Sequence, residues 1–211
     1  MELSTPARRR PGRPPKRIDE GLQTREALIR RGMEVLTEKG FAATGIEDVL
    51  KRVGVPKGSF YHYFDSKEAF GRTVIDAYAA YFARKLDRIF RDASRSPLAR
   101  VQAFVDEACA GMARFDFRRG CLIGNLGQEM GVLPEAYRDR LEAVLLDWQA
   151  RLAECLRAAR ADGEIAATAD CDGLAAFFWT GWEGAVLRAK LVRSTAPLRQ
   201  FGEGFLAGLP R

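Results

Sequence analysis

The sequence predicts an all-α protein in two parts, a small three-helix unit built as a helix-turn-helix and a larger helical domain behind it. Three observations predict it. Apolar residues recur at helical spacing along most of the chain, and Gly40, Gly54 and Pro97 fall where those patterns stop. Residues 55–64, VPKGSFYHYF, place four aromatic rings and the chain's only histidine in one short segment behind a tight glycine turn. Finally, residues 8–17, RRRPGRPPKR, hold six basic side chains and no acid, whereas the rest of the chain nearly balances. The boundaries that follow are a basic arm over 1–19, a helix-turn-helix unit over 20–66 and a second domain over 67–211.

Three prolines and a glycine in residues 8–17 forbid a helix there and predict an extended arm. Such an arm either solubilises the protein or lies in a minor groove. Gly-Arg-Pro stays flat enough to deliver a guanidinium into the narrow, electronegative groove of A·T-rich DNA, which makes Arg10 and Arg13 candidate contacts. The run resembles an AT-hook core, with Pro11 where that motif has its first arginine.

Leu28, Gly32, Val35 and Leu36 share one face of a first helix that Gly40 closes. A capping box of Thr44 and Glu47 is expected to open the second, whose buried face is Ile46, Val49, Leu50 and Val53. Gly54 stops it, and Pro56 leads into the third. At about 100° per residue, Phe60 and Phe64 form an apolar stripe, and Gly58, Ser59 and His62 fall on the opposite side. Tyr61 and Tyr63 flank the stripe, and Lys57 stands at its start. A short helix held by two rings and bare on its outer face is suited to a major groove.

Residues 45–70, GIEDVLKRVGVPKGSFYHYFDSKEAF, resemble the DNA-binding signature of TetR-type transcriptional repressors. The resemblance implies a TetR-like fold: a DNA-binding unit fused to an all-helical domain that dimerises and binds an inducer. It also implies that Thr44, Lys57, Ser59, Tyr61, His62, Tyr63 and Lys67 occupy positions that touch phosphates or base edges of a double-stranded operator.

From Ser66 a long amphipathic helix links the two parts, with Phe70, Val74, Tyr78, Tyr81 and Phe82 as burial candidates. Tyr137, Leu141, Leu145, Trp148, Leu152 and Leu156 form a clean later stripe. The stretch LAAFFWTGWEGAVLRAKL is apolar nearly all round, and with the final PLRQFGEGFLAGL it is expected to form a homodimer contact or else a core helix of this domain. No apolar run approaches the roughly 18 residues of a membrane span, so a soluble cytoplasmic protein is expected, with no membrane partner.

RRGCLIGNLGQEMG, PKGSFYHYF and FWTGWEGAVLRAKL together resemble the AcuR-type branch of the family, which responds to acrylate, and more loosely the NemR-type electrophile sensors. The resemblance points to Cys121 as a sensing residue. Following Arg118, Arg119 and Gly120, Cys121 is expected in the first turn of a helix, where the dipole and two guanidiniums favour a thiolate. A noncovalent pocket is the alternative, with Asn125 and Gln128 as donors, Trp148, Trp179 and Trp182 as walls, and Arg118, Arg119, Arg188 or Lys190 as a cation for a ligand carboxylate.

The remaining cysteines, Cys109, Cys155 and Cys171, make no C-x-x-C pair, and reduced thiols without metal are expected. An enzyme acting on a small acid is disfavoured: the single histidine, His62, belongs to the DNA-reading segment, and no phosphate-binding loop or two-histidine metal spacing exists. No cofactor is implied. An architectural DNA protein that uses only its basic arm would leave the large second domain unexplained.

Overall fold

The computed structural model describes residues 18–211, with side chains from residue 21, so the expected arm contacts Arg10 and Arg13 lie outside the described residues. Every regular element in this range is helical. The helices are α1 (Ile18–Lys39), α2 (Ile46–Val53), α3 (Lys57–Phe60), α4 (Lys67–Phe90), α5 (Pro97–Arg114), α6 (Leu122–Gln128), α7 (Arg138–Ala161), α8 (Cys171–Val192) and α9 (Ala196–Ala207), with one 3-10 turn, Glu135–Tyr137, leading into α7. Helix α1 begins at Ile18, so residues 18 and 19, expected in the arm, already belong to its first turn.

The first three helices close over Leu28, Leu36, Val49, Leu50, Phe60 and Phe64, and Phe70 of α4 completes that core. Phe60, Phe64 and Phe70 form a triangle of rings with centroids 4.9 to 5.3 Å apart. The two anchoring rings therefore do what their one-turn spacing implies. Helix α3 is shorter than its pattern suggests: α geometry ends at Phe60, and a turn closed by Phe64 N–H on the Phe60 carbonyl, 3.1 Å, carries the chain onward.

The cap of α2 also differs from expectation. Gly45 is its N-cap, and its N–H donates to the Asp48 carboxylate at 3.3 Å. Thr44 stands one residue earlier, buried, with its hydroxyl donating to the Gly40 carbonyl at 2.5 Å. The hydroxyl thus serves the α1–α2 turn instead of the helix end.

Helix α4 spans both domains. Ser66 caps it by accepting from Ala69 N–H, 3.0 Å, and its later turns bury Tyr78, Leu86 and Phe90 against α5 and α7. The second domain is a bundle of α5, α7, α8 and α9 around Phe104, Trp148, Phe178, Trp179 and Trp182. Helix α8 is a core helix of this domain, one of the two roles expected for it, and it also carries an apolar face that this chain leaves open. One face is core, while Phe177 (63% exposed), Leu187 (39%) and Leu191 (71%) form a second, uncovered apolar stripe. Gly181 is filled from within the chain by the Phe201 ring of α9, so part of the closeness expected at a subunit contact is intramolecular.

The two domains are fastened by α6 and its flanks. Asn125 Nδ2 donates to the Thr37 carbonyl (3.0 Å), and Arg119 Nε donates to Glu38 (2.9 Å). At the far end, the Glu129 carboxylate accepts from Phe41 N–H (3.0 Å) and Ala42 N–H (2.8 Å). Gly40 makes this approach possible: its φ is +80°, and a Cβ there would lie 1.7 Å from Glu129 Oε1. Replacing Glu129 by alanine strips two backbone donors of a charged acceptor, and a loss of about 2 kcal/mol in stability is expected from urea denaturation. An unchanged midpoint would show that water serves these N–H groups equally well.

Candidate nucleic-acid interface and ligand cavity

The outer face of the α3 segment is bare. Lys57, Gly58, Tyr61 and His62 are exposed, whereas Ser59 and Tyr63 are half-buried. Among the described residues nothing lies within 4 Å of a Cβ placed on Gly58, so none of them demands glycine there. Lys57 pairs with Glu47 at 3.0 Å, which raises the lysine and lowers the carboxylate, but both are well exposed and the pair opens readily to a phosphate. Lys67 at the start of α4 is half-buried. Its ammonium donates to the Phe41 carbonyl at 2.9 Å and lies 4.5 Å above the Phe41 ring, leaving further N–H donors on the same nitrogen. The structure therefore gathers Lys57, Gly58, Ser59, Tyr61, His62 and Tyr63 on one segment with Lys67 beside it, and turns Thr44 inward.

Between α1, α4, α5 and α8 lies a cavity of ≈470 Å³. Its wall is mostly aromatic and aliphatic, from Tyr78, Phe82, Phe104, Met112, Trp179 and Trp182. Arg30, Lys85 and Arg119 stand around it. Two of these cations are already paired, Lys85 with Glu107 (3.3 Å) and Arg119 with Glu38 and Glu34 (2.9 and 3.7 Å). The loop after α5 brings Arg119, Gly120 and Cys121 to the cavity through Asp116 and Phe117, both in the left-handed region with φ of 50° and 57°. Such backbone costs about 1 kcal/mol per residue and marks a turn fixed by its surroundings.

Cys121 is the N-cap of α6, one position before the first turn in which it was expected, and its Sγ accepts from Gly124 N–H at 3.4 Å. Its thiol is not activated. Burial, and then the negative charge of Glu183, push it well above the usual thiol range. Arg119 turns away to Glu38 and covers the Phe115 ring at 4.2 Å, and Arg118 is exposed and outside the cavity wall. The two guanidiniums thus give the sulfur no counter-charge.

Of the other ligand candidates, Trp182 lines the cavity and so does Trp179. Trp148 sits behind this wall, fully buried, with its ring 5.1 Å from Trp179 and its carbonyl accepting from Trp179 Nε1 at 2.9 Å. Asn125 is occupied on both sides, by the Thr37 carbonyl and by Lys190 Nζ at 3.2 Å. Gln128 and Arg188 are exposed. Asn125, Gln128, Trp148 and Arg118 therefore stand apart from the cavity.

Two residues with no ligand role expected from the sequence also line it, Tyr78, expected only as a buried ring, and Glu183. Among the described residues Glu183 Oε1 is shielded from solvent without a hydrogen-bond partner, and burial raises this carboxyl to about 7. Its other oxygen packs against Gly124, where a Cβ would lie 1.9 Å away. The available signal was an acid between tryptophan and glycine, Trp182-Glu183-Gly184, in the middle of a mostly apolar stretch.

Comparison with known proteins agrees with this architecture. Residues 28–71 match the model for bacterial regulatory proteins of the tetR family, and residues 97–205 match the tetracyclin repressor-like C-terminal domain. The chain belongs to the TetR family of transcriptional regulators. It is 52% identical to the transcriptional regulator AcuR of Cereibacter sphaeroides, over 96% of this chain and 92% of that protein. A crystal structure of a regulatory protein TetR from Rhodobacter sphaeroides superposes with a TM-score of 0.86 at 53% identity, covering 88% of this chain and 98% of the other. A cysteine mutant of the TetR family regulator CifR, complexed with 26-bp double-strand operator DNA, gives a TM-score of 0.76 at 26% identity, covering 88% and 96% of the two chains.

Two outcomes are expected. His62→Ala should change which operator bases are preferred, at about 1–3 kcal/mol for the affected position, whereas Lys67→Ala should weaken all sequences alike and reduce the salt slope by about one. Anisotropy on operator and random duplexes across a salt series separates them; equal losses for both variants would refute the division. For Glu183, the unfolded carboxyl titrates near 4.5 and the folded one near 7, so its contribution to stability is fully present below about pH 4.5 and is lost as pH rises towards 7. Glu183→Gln lacks this loss and should gain on the order of 3 kcal/mol relative to the parent between about pH 4 and pH 8, read as urea midpoints. A constant gap over that range would mean that the carboxyl is effectively solvated.

Proposed function

We propose that this chain is a homodimeric repressor that leaves its operator when a small acyl compound, acrylate or a close relative, enters the cavity reversibly. The observation that carries the reading is continuity: the cavity ends at Cys121, Cys121 caps α6, and α6 ends at the Glu129 clamp on the α1–α2 turn of the DNA-reading unit. The likeness to AcuR supports the inducer class. The uncovered stripe of Phe177, Leu187 and Leu191 supports a dimer through α8 and α9, which would set two α3 segments on successive major grooves about 34 Å apart. A sensor's role is the one this reading gives the cavity, whose wall is mostly aromatic and aliphatic, while the single histidine, His62, lies in the DNA-reading segment.

Electrophile capture by Cys121 is the second reading, favoured by the thiol's place on the cavity wall. In that case the sulfur bonds to the β-carbon of the alkene and its proton passes to the α-carbon. The raised thiol supports the reversible reading over this one, because the thiolate is the reactive form.

The test is anisotropy of a labelled duplex from the region upstream of the protein's own gene, with acrylate added and then diluted away. Release that reverses on dilution, with no added mass and with the response kept in Cys121→Ser, is expected. Persistent release with acrylate mass on Cys121 would establish electrophile sensing instead, and tight DNA binding indifferent to acrylate would remove this inducer.

A further inference from the structure

We propose that the carboxylic acid of Glu183 is the specificity-determining group of the cavity, donating its O–H to an acyl oxygen of the ligand. The inference deepens the inducer reading above, since it assigns the contact by which an acyl compound would be chosen. It commits the cavity to apolar compounds that bear a carboxyl, amide or ester oxygen.

The geometry is that of a polar group waiting for a partner. Glu183 projects from α8 into a wall of aromatic rings, with one oxygen against the Gly124 backbone and the other, Oε1, shielded and unpaired. A buried polar atom left without a partner is costly, and native structures rarely keep one that nothing ever satisfies. Cys121 at the α6 N-terminus and Tyr78 of α4 are the titratable groups beside it, and both stay protonated because burial raises them. Around the rest of the cavity stand Arg30 and Glu34 of α1, Lys85 of α4 and Arg119 before α6. None of these charges shifts Glu183, whose titration is governed by burial and by the Cys121 thiol. A carboxyl in apolar surroundings with no cation to hold it ionised keeps its proton and becomes a donor.

This donor explains how an anionic acid could be held at the Glu183 end of the cavity, where none of the wall's cations acts on the carboxyl. A carboxylic acid and a carboxylate share one proton, and the pair binds as a single negative charge instead of two. Once Glu183 ionises, two negative charges face each other and binding of the acid fails. A ligand amide escapes that penalty, because its N–H₂ can donate to the ionised Glu183.

Calorimetric titration of the full chain without DNA tests this, using acrylate and acrylamide as one probe pair and benzoate and benzamide as a wider one, between pH 6 and 9. For the parent protein the Kd of the acids should rise towards tenfold per pH unit above about pH 7, while that of the amides stays nearly flat. In Glu183→Gln the acids should bind with a flat profile, because the side-chain amide donates at every pH. Equal slopes in parent and variant, a flat acid profile in the parent, or no binding of any of the four probes would each overturn the assignment. Operator release, read by anisotropy in parallel, separates the two proposals: acids that bind with the expected profile but leave DNA binding untouched would sink the inducer reading and keep Glu183 as the acyl contact.

Discussion

The carboxylate of Glu129, accepting from the N–H groups of Phe41 and Ala42, is the interaction on which the relation between the two domains rests. Those two N–H groups belong to the turn between α1 and α2, so their position sets where α2 and then α3 begin. The acceptor belongs to the second domain. Charge makes each of these hydrogen bonds stronger than a neutral one, and the left-handed glycine at 40 clears the space that the carboxylate occupies. Asn125 on Thr37 and Arg119 on Glu38 repeat the fastening along the same stretch, and Lys190 on Asn125 continues it to α8. The Tyr137 hydroxyl on the Glu68 carbonyl (2.7 Å) ties the start of α4 to the same side of the bundle.

Because α6 has only seven residues, it is about 10 Å long, and a displacement at its Cys121 end has little helix in which to dissipate. Packed cores shift between discrete arrangements more readily than they deform. A ligand that favours one arrangement of α6 would therefore favour one position of the α1–α2 turn, and DNA held at α3 would act back on the cavity by the same free energy. Helix α4 is the link that the sequence suggests, and it is shared by both domains. The side-chain hydrogen bonds to the α1 end, however, concentrate on α6 and its flanks.

The parts legible in the sequence were those whose signal is local. Phe60 and Phe64 are buried because they lie one turn apart, and the glycines at 40 and 54 close helices because little else tolerates that backbone. Thr44 illustrates the limit: its spacing to Glu47 fits a capping box, yet the Gly40 carbonyl captured its hydroxyl and the cap fell on Gly45. The ligand cavity was harder, since its walls come from five separate stretches of chain. Asn125 and Gln128 lie near Cys121 in sequence, but on a helix that neighbourhood covers every face. Asn125 points to α1 and Gln128 to solvent. Glu129 clasps residues 87 and 88 positions away, and no periodicity announces a pairing of that range.

The thiol of Cys121 shows how a correct location can carry the wrong electrostatic sign. A helix N-terminus favours an anion by about 0.3–1 kcal/mol near the surface, and two nearby arginines seem in sequence to add to that. In the folded chain one arginine is spent on Glu38 and Glu34, the other is exposed, and the nearest charge that acts on the sulfur is the carboxyl of Glu183. Burial of a charge outweighs a short helix dipole, because desolvation acts on the whole ion while the dipole supplies a partial charge at its end. The same burial that disfavours the thiolate disfavours the ionised Glu183, and their mutual repulsion opposes ionising both. Cys121 is therefore a thiol held in its protonated form beside a carboxyl raised to about 7, where the sequence alone suggested a nucleophile.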